Sequence, residues 1–215
     1  MTVIRVVTIE REYGSGAAAI ATAVAGELGW KLWDREITGE IARRMKCSQK
    51  TVERLEEKPD PVYQRLFRVF MRGSYETTAG DQQPEVLNAE TLASLFERII
   101  GDIAAQGHCV IVGRGAPYFM RNREDTYRVF LYASREEKVR RTIAAGKRQS
   151  EAEDLVDNVD RERAAFVRRY YNSDWPARHV YHQMINTAMG DALVVKTILD
   201  GIDLLNICER RRRPA

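Results

Sequence analysis

A buried strand, a glycine turn and an alanine-rich helix follow one another at the start of the chain, and that order narrows the fold more than any other feature. Val3, Ile4, Val6, Val7 and Ile9 form an apolar, β-branched run, the pattern of a buried strand. TIEREYGSGAAAIA then occupies Thr8 to Ala21, and Ala17 to Leu28 carries apolar residues at helical spacing, which predicts a helix. Glycines in such a turn let backbone N–H groups approach an anion, and the helix dipole adds to the attraction. After Gly16 a phosphate-binding loop usually carries a lysine and then a hydroxyl residue, whereas this chain has Ala17, Ala18 and Ala19. The turn is suited to cradle a phosphate, but the positive charge must come from elsewhere. The same residues also fit a dinucleotide fingerprint, Gly14-x-Gly16-x-x-Ala19, with Asp34 at about the 20-residue offset of a ribose-binding acid. On the loop alone both ligands stay open.

The length of 215 residues suits one α/β domain over residues 1–215 with a full core. A net charge of +3 is too slight to argue for nucleic acid. No apolar run is long enough to span a bilayer and no signal peptide precedes the first strand, so a cytoplasmic location is expected. Cys47, Cys109 and Cys208 lack metal-ligand spacing and read as buried free thiols in a reducing compartment. His108, His179 and His182 show no zinc pattern, so no metal ligated by the protein is expected.

Gly29 stops the first helix, and Trp30 to Trp33 reads as a second strand ended by Asp34. Ile37 to Met45 has helical periodicity, and Ser48 caps a short helix through Lys58. Pro59 to Asn88 is broken by prolines and a polar stretch, and reads as a cap insertion over residues 59–88. Asn88 caps a long amphipathic helix closed by Gly107. Two apolar strands follow, Cys109 to Val112 and Tyr127 to Tyr132, then a helix from Arg135 to Ala145 behind Ser134. Gly146 to Ser150 is a basic break, and Glu151 to Tyr171 a long charged helix. Together these make residues 146–171 a basic lid region. Val180 to Thr187 is a last strand, ambiguous with helix, and Asp191 to Cys208 is the closing helix. Glu209 to Arg213 reads as a solvated tail. Alternating strands and helices imply a parallel sheet wrapped on both faces, with ligands at the carboxyl ends of the strands. The glycine turn, Asp34 and Gly113-Arg114 then share one rim. A guanidinium displayed after a buried strand suits a phosphate bidentately. Asp160 and Arg163 lie at i, i+3 on a charged helix, where substitutions usually shift stability by only about 0.5 kcal/mol.

Taken in order, seven blocks resemble the cytidylate kinase-like family, a branch of the nucleoside monophosphate kinases with P-loops. They are REYGSG at Arg11, WDREI at Trp33, VERLEEKP at Val52, VIVGRGA at Val110, VFLYASREEKVRR at Val129, DRERAAFVRRYY at Asp160 and YHQMINT at Tyr181. The resemblance implies a five-stranded parallel sheet with helices on both faces, a small helical cap and a mobile basic lid. It also implies transfer of the ATP γ-phosphoryl group to CMP or dCMP with magnesium, and leaves a homodimer open. On the donor side it assigns Arg11, Gly14, Ser15, Gly16, Ala17 and Ala18, with Arg140 and Arg141 as looser lid candidates. The acceptor would meet Asp34, Arg35, Gly113 and Arg114. Asp160 and Arg163 match an Asp-x-x-Arg that touches acceptor and transferred phosphate, and Arg148 is a further lid candidate in catalysis. True cytidylate kinases have Gly-Lys-Gly-Thr after the turn and an aspartate where Val112 stands, and the divergent branch often has an arginine after the turn. An arginine from the lid replacing that lysine would preserve transfer. Ala17→Lys is expected to tighten ATP binding or raise turnover; if a lid arginine already fills the space, the added lysine would instead crowd it and lower activity. Two other readings stay open: a nucleotide-binding protein with little catalysis, and an NAD-dependent Rossmann enzyme.

Overall fold

The computed structural model describes residues 3–34, 37 and 89–211. The segment read as a cap, residues 59–88, Arg35 and, apart from Ile37, the two helices read before it lie outside the described residues. The first strand, β1 (Val6–Arg11), is buried at every position and leads through the glycine turn into α1 (Ala17–Leu28). The chain continues through β2 (Lys31–Trp33), α2 (Ala89–Gln106), β3 (Cys109–Val112), α3 (Ala116–Phe119) and β4 (Thr126–Tyr132). It ends with α4 (Arg135–Ala144), α5 (Gln149–Tyr171), β5 (Gln183–Asn186) and α6 (Asp191–Arg211).

All strand pairs are parallel and the order is β2-β3-β1-β4-β5, which puts β1 at the centre. The β-branched run explains that position, because a strand paired on both edges and covered on both faces must be apolar throughout. Val7 and Ile9 pack with Ile20, Val24, Val194 and Ile198, so α1 and α6 cover one face. Val6, Cys109 and Ile111 pack with Ile99, Ile100 and Ile103 of α2 on the other. Phe130 joins Phe166 and Val167, so α5 covers that second face beside β4. The chain start is tied to its last helix, where Ile4 N–H donates to Asn206 Oδ1 at 2.9 Å across 202 residues.

Local signals set most boundaries. Ser134 caps α4 by accepting the Glu137 N–H, and Gly29 ends α1 in a left-handed conformation, the expected pairing of hydroxyl N-cap and glycine C-cap. The segment Val180 to Thr187 resolves its ambiguity by being several things in turn. A 3-10 turn at Arg178–Val180 precedes β5, and a second at Thr187–Met189 follows it. Asn186 ends the strand by accepting the Ala188 N–H. The closing helix runs past Cys208 to Arg211, so part of the basic run read as a tail is helical. Cys109 is buried as expected, and burial pushes its thiol up to about 11. Cys208 instead is exposed on α6.

At the start of β5, the His182 Nδ1 accepts the Arg128 N–H at 3.0 Å and its Nε2 faces the Arg128 guanidinium at 3.0 Å. Burial, then the Arg128 charge, lowers its pKa to about 4. The unfolded chain, with an ordinary histidine near 6.5, therefore binds a proton that the native state refuses. Stability attached to this contact is complete above pH 6.5 and falls as the pH drops towards 4. Denaturant midpoints at pH 7.5 and pH 5 are expected to differ less in His182→Gln than in the wild type; equal differences would contradict the assignment.

Candidate functional site

The carboxyl ends of β1, β2 and β3 meet at one rim, and two groups of residues gather there. The first is the glycine turn. Gly14 and Gly16 take left-handed conformations, φ 73° and 80°, which glycine adopts without the Cβ penalty of other residues. Ser15 is buried and its hydroxyl donates to Glu12 O at 2.8 Å, so it staples the turn instead of pointing to a ligand. The start of α1 has no side-chain cap and no acid in its first turn, which leaves its N–H groups and dipole suited to an anion. Ala17 is 4% exposed and packs in the core cluster beneath α1, while Ala18 is only half-buried.

The second group surrounds Gly113-Arg114-Gly115, whose φ angles of 65°, 62° and 68° make three successive left-handed residues. Arginine there is strained, by about 1–2 kcal/mol. Arg114 is 2% exposed, so the guanidinium expected to be displayed on the rim is enclosed in it. A Cβ on Gly113 would run into the Arg11 guanidinium, and one on Gly115 would stand 2.8 Å from the Tyr171 ring. The two glycines thus admit the side chains that wall in Arg114. Arg11 belongs to this group; its guanidinium lies against Gly113, with Nη1 on Glu10 Oε1 at 3.3 Å. Burial and then the charge of Arg11 push Arg114 down to about 9, with Asp34 opposing. The same two causes lower Arg163 to about 10, with Asp160 opposing. Three guanidiniums therefore crowd a space closed to solvent, where a carboxylate or phosphate finds strong donors.

Asp160 and Arg163 join the two groups. Asp160 Oδ1 accepts from Tyr13 N–H at 2.9 Å and from Arg163 Nη1 at 3.1 Å, and Arg163 Nη1 also donates to Arg11 O at 2.9 Å. The pair expected on a solvated helix face is enclosed instead, because this face of α5 closes over the end of β1 and the turn. Lys138 completes the arrangement; its Nζ lies 3.0 Å from Glu12 Oε2 and 3.3 Å from Asp160 Oδ2. Neither Glu12 nor Lys138 was singled out by sequence. A signal existed, since Lys138, Arg141 and Thr142 share one face of α4 at i, i+3, i+4.

The remaining candidates fall on either side of the turn. Arg141 lies on it: a Cβ on Gly16 would strike its guanidinium, and Nη1 donates to Ser15 O at 3.4 Å. Arg140 is 69% exposed and paired with Glu137. Arg148 is exposed at the N-cap of α5. Asp34 is buried at the end of β2. The space that Ala17→Lys would need is therefore already bordered by a cation and by core. That variant is expected to lose about 1–3 kcal/mol of stability by overpacking, with no tighter ATP binding; urea unfolding and an ATP titration check both.

A profile of the cytidylate kinase-like family matches residues 6–189. Among curated proteins no match was found. Similar solved structures include a protein of Eubacterium ventriosum ATCC 27560, at 18% identity and TM-score 0.66, covering 94% of this chain and 98% of that one. A gluconokinase from Sinorhizobium meliloti 1021 follows at 12% identity and TM-score 0.53, covering 99% and 100%. A shikimate kinase from Acinetobacter baumannii, solved with shikimate, has 16% identity and TM-score 0.52, covering 99% and 97%. At these identities the likeness speaks for the fold, a parallel five-stranded sheet with helices on both faces. The order of blocks along the sequence and the family match over most of its length agree: the chain belongs to the cytidylate kinase-like family.

Proposed function

We propose that the protein is a nucleoside monophosphate kinase that transfers the γ-phosphoryl group of ATP to CMP or dCMP. One observation carries the reading: an uncapped helix start and an enclosed group of three guanidiniums share the rim, bridged by Asp160. Phosphoryl transfer asks for two anions held in line and for their charge to be spread, with little covalent help. The α1 start would take the donor phosphates. Arg114, with Arg11 and Arg163 beside it, would take the acceptor phosphate, and Asp34 would orient the acceptor from β2. Asp160 fixes both sides through Tyr13 N–H and Arg163. Magnesium would neutralise charge on the donor oxygens; with no cluster of three acidic, histidine or cysteine groups among the described residues, it would ride on phosphate and water.

A second reading, nucleotide binding without transfer, is favoured by Ala17, Ala18 and Ala19 where a lysine and a hydroxyl are usual. Incubation with ATP, magnesium and a panel of CMP, dCMP, UMP, AMP, GMP, shikimate and gluconate separates the readings. ADP release dependent on CMP or dCMP is expected. ATP binding with no acceptor-dependent release would favour the second reading, and release with shikimate or gluconate alone would replace the acceptor class. Among the described residues no helix is long and apolar enough to cross a membrane, so the assay needs no lipid on that ground.

A further inference from the structure

The closing helix α6 turns Val194, Val195, Ile198 and Ile202 into the core. The stripe on its opposite side runs through Leu193, Lys196, Asp200, Leu204 and Ile207, at steps of three and four residues. On a helix buried along one side, that stripe is normally polar. Here Leu193 is 49% exposed, Leu204 61% and Ile207 44%. Among the described residues the other large apolar side chains exposed to water are Met189, Ile143 and Val3, and each is tethered close to α6. Met189 ends the turn just before it. Ile143 is on α4, whose Arg141 Nη1 donates to Asp191 Oδ1 of α6 at 3.0 Å. Val3 precedes Ile4, whose N–H donates to Asn206 Oδ1. Scattered apolar residues are ordinary on a surface, whereas a continuous row of them marks a contact with another molecule.

The charges on the stripe identify that molecule. Lys196 Nζ lies 2.8 Å from Asp200 Oδ2, and the two side chains are 68% and 55% exposed, so the pair shows a neighbour one cation and one anion. Outward from the level of Ile198, the stripe meets the same sequence of chemistry in both directions. Lys196 or Asp200 comes first, then Leu193 or Leu204, then Met189 or Ile207. Only the sign of the charge differs between the two directions. We propose that α6 forms the interface of a homodimer, with two copies packed antiparallel across a two-fold axis at the level of Ile198. Lys196 then meets Asp200 of the second copy, Leu193 meets its Leu204, and Met189 meets its Ile207. A closed two-fold interface uses one patch twice and must be complementary to itself, which this stripe is. Parallel packing would set lysine on lysine and aspartate on aspartate, a repulsive arrangement. One helix pair is a small interface, so dissociation at about micromolar concentration is expected.

The test is sedimentation equilibrium of the full chain over a roughly hundredfold range of concentration, where a monomer–dimer equilibrium shifts by mass action. The wild type is expected to pass from monomer to dimer. Leu193→Glu and Leu204→Glu are each expected to weaken the dimer roughly tenfold or more, with circular dichroism unchanged because both sites are exposed. Lys196→Asp makes both stripe charges acidic, and Asp200→Lys makes both basic. Each of these variants alone is expected to stay monomeric, and an equimolar mixture of the two to form a mixed dimer. The pair within one helix is broken in both variants, so a role confined to stabilising α6 would not give that recovery. A wild type that is monomeric throughout overturns the proposal and leaves the stripe to a different kind of partner. A dimer untouched by both glutamate variants overturns it by placing the interface elsewhere. Loss of the dimer in those variants, with no mixed dimer from the charge variants, overturns the antiparallel pairing. Should the glutamate variants fold poorly, the charge variants decide, since they keep every apolar contact. None of the substituted residues lies in the candidate site, so the outcome is separate from the kinase reading.

Discussion

Asp160→Ala is expected to lower the unfolding free energy by about 3 kcal/mol, the range seen when one partner of a buried ion pair is removed. The carboxylate forms an ion pair with Arg163, and it shares Lys138 with Glu12. Its loss also strips the acceptor from Tyr13 N–H. Arg163 is 8% exposed and cannot turn to water without opening the lid of α5 over β1. Asp160→Asn keeps an acceptor for Tyr13 while removing the charge, so a smaller loss is expected. Denaturant unfolding of both variants, read alongside transfer activity, separates the two duties of the residue. A midpoint unchanged in Asp160→Ala would show that this group is solvated after all.

Gly14→Ala is expected to cost about 2–4 kcal/mol, and for a different reason. Its φ of 73° is a left-handed conformation that alone costs alanine about 1–2 kcal/mol. The added Cβ would stand 2.8 Å from the backbone oxygen of Lys138. A backbone atom in a helix cannot swing aside, so α4 and the turn must separate, carrying Lys138 away from Glu12 and Asp160. Gly26→Ala is the control. Gly26 sits in α1 with nothing within 4 Å of a built Cβ, and should gain about 0.5–1 kcal/mol from helix propensity. Thermal or urea unfolding of the pair is expected to move in opposite directions, and a common direction would refute the packing argument.

The fold was legible where each signal was local. The β-branched run, Gly29 and Ser134 each fix an element by chemistry within a few residues, and the observed boundaries of α1 and β3 coincide with the expected ones. Burial of charge was not legible in the same way. Arg114, Asp160 and Arg163 were read as rim or surface groups because charged residues usually are. Their enclosure depends on α5 crossing the end of β1, a contact between residues 152 apart in sequence. The resemblance put Arg11 with the donor turn, whereas its guanidinium lies against Gly113. Glu12 and Lys138 went unnoticed because each looks ordinary until the other arrives.

The central strand comes before both of its pairing partners in the chain. Its register partners begin at Cys109 on one edge and Thr126 on the other, and the cap on Ile4 comes from Asn206. A nascent chain emerging from the ribosome therefore exposes an apolar strand with both hydrogen-bonding edges open until the strands at Cys109–Val112 and Thr126–Tyr132 have followed it. Unpaired edges of that kind invite pairing with other chains, and late-closing sheets are the ones most open to aggregation. For this protein the yield of soluble product should respond to synthesis rate and temperature more than to the stability of the finished fold.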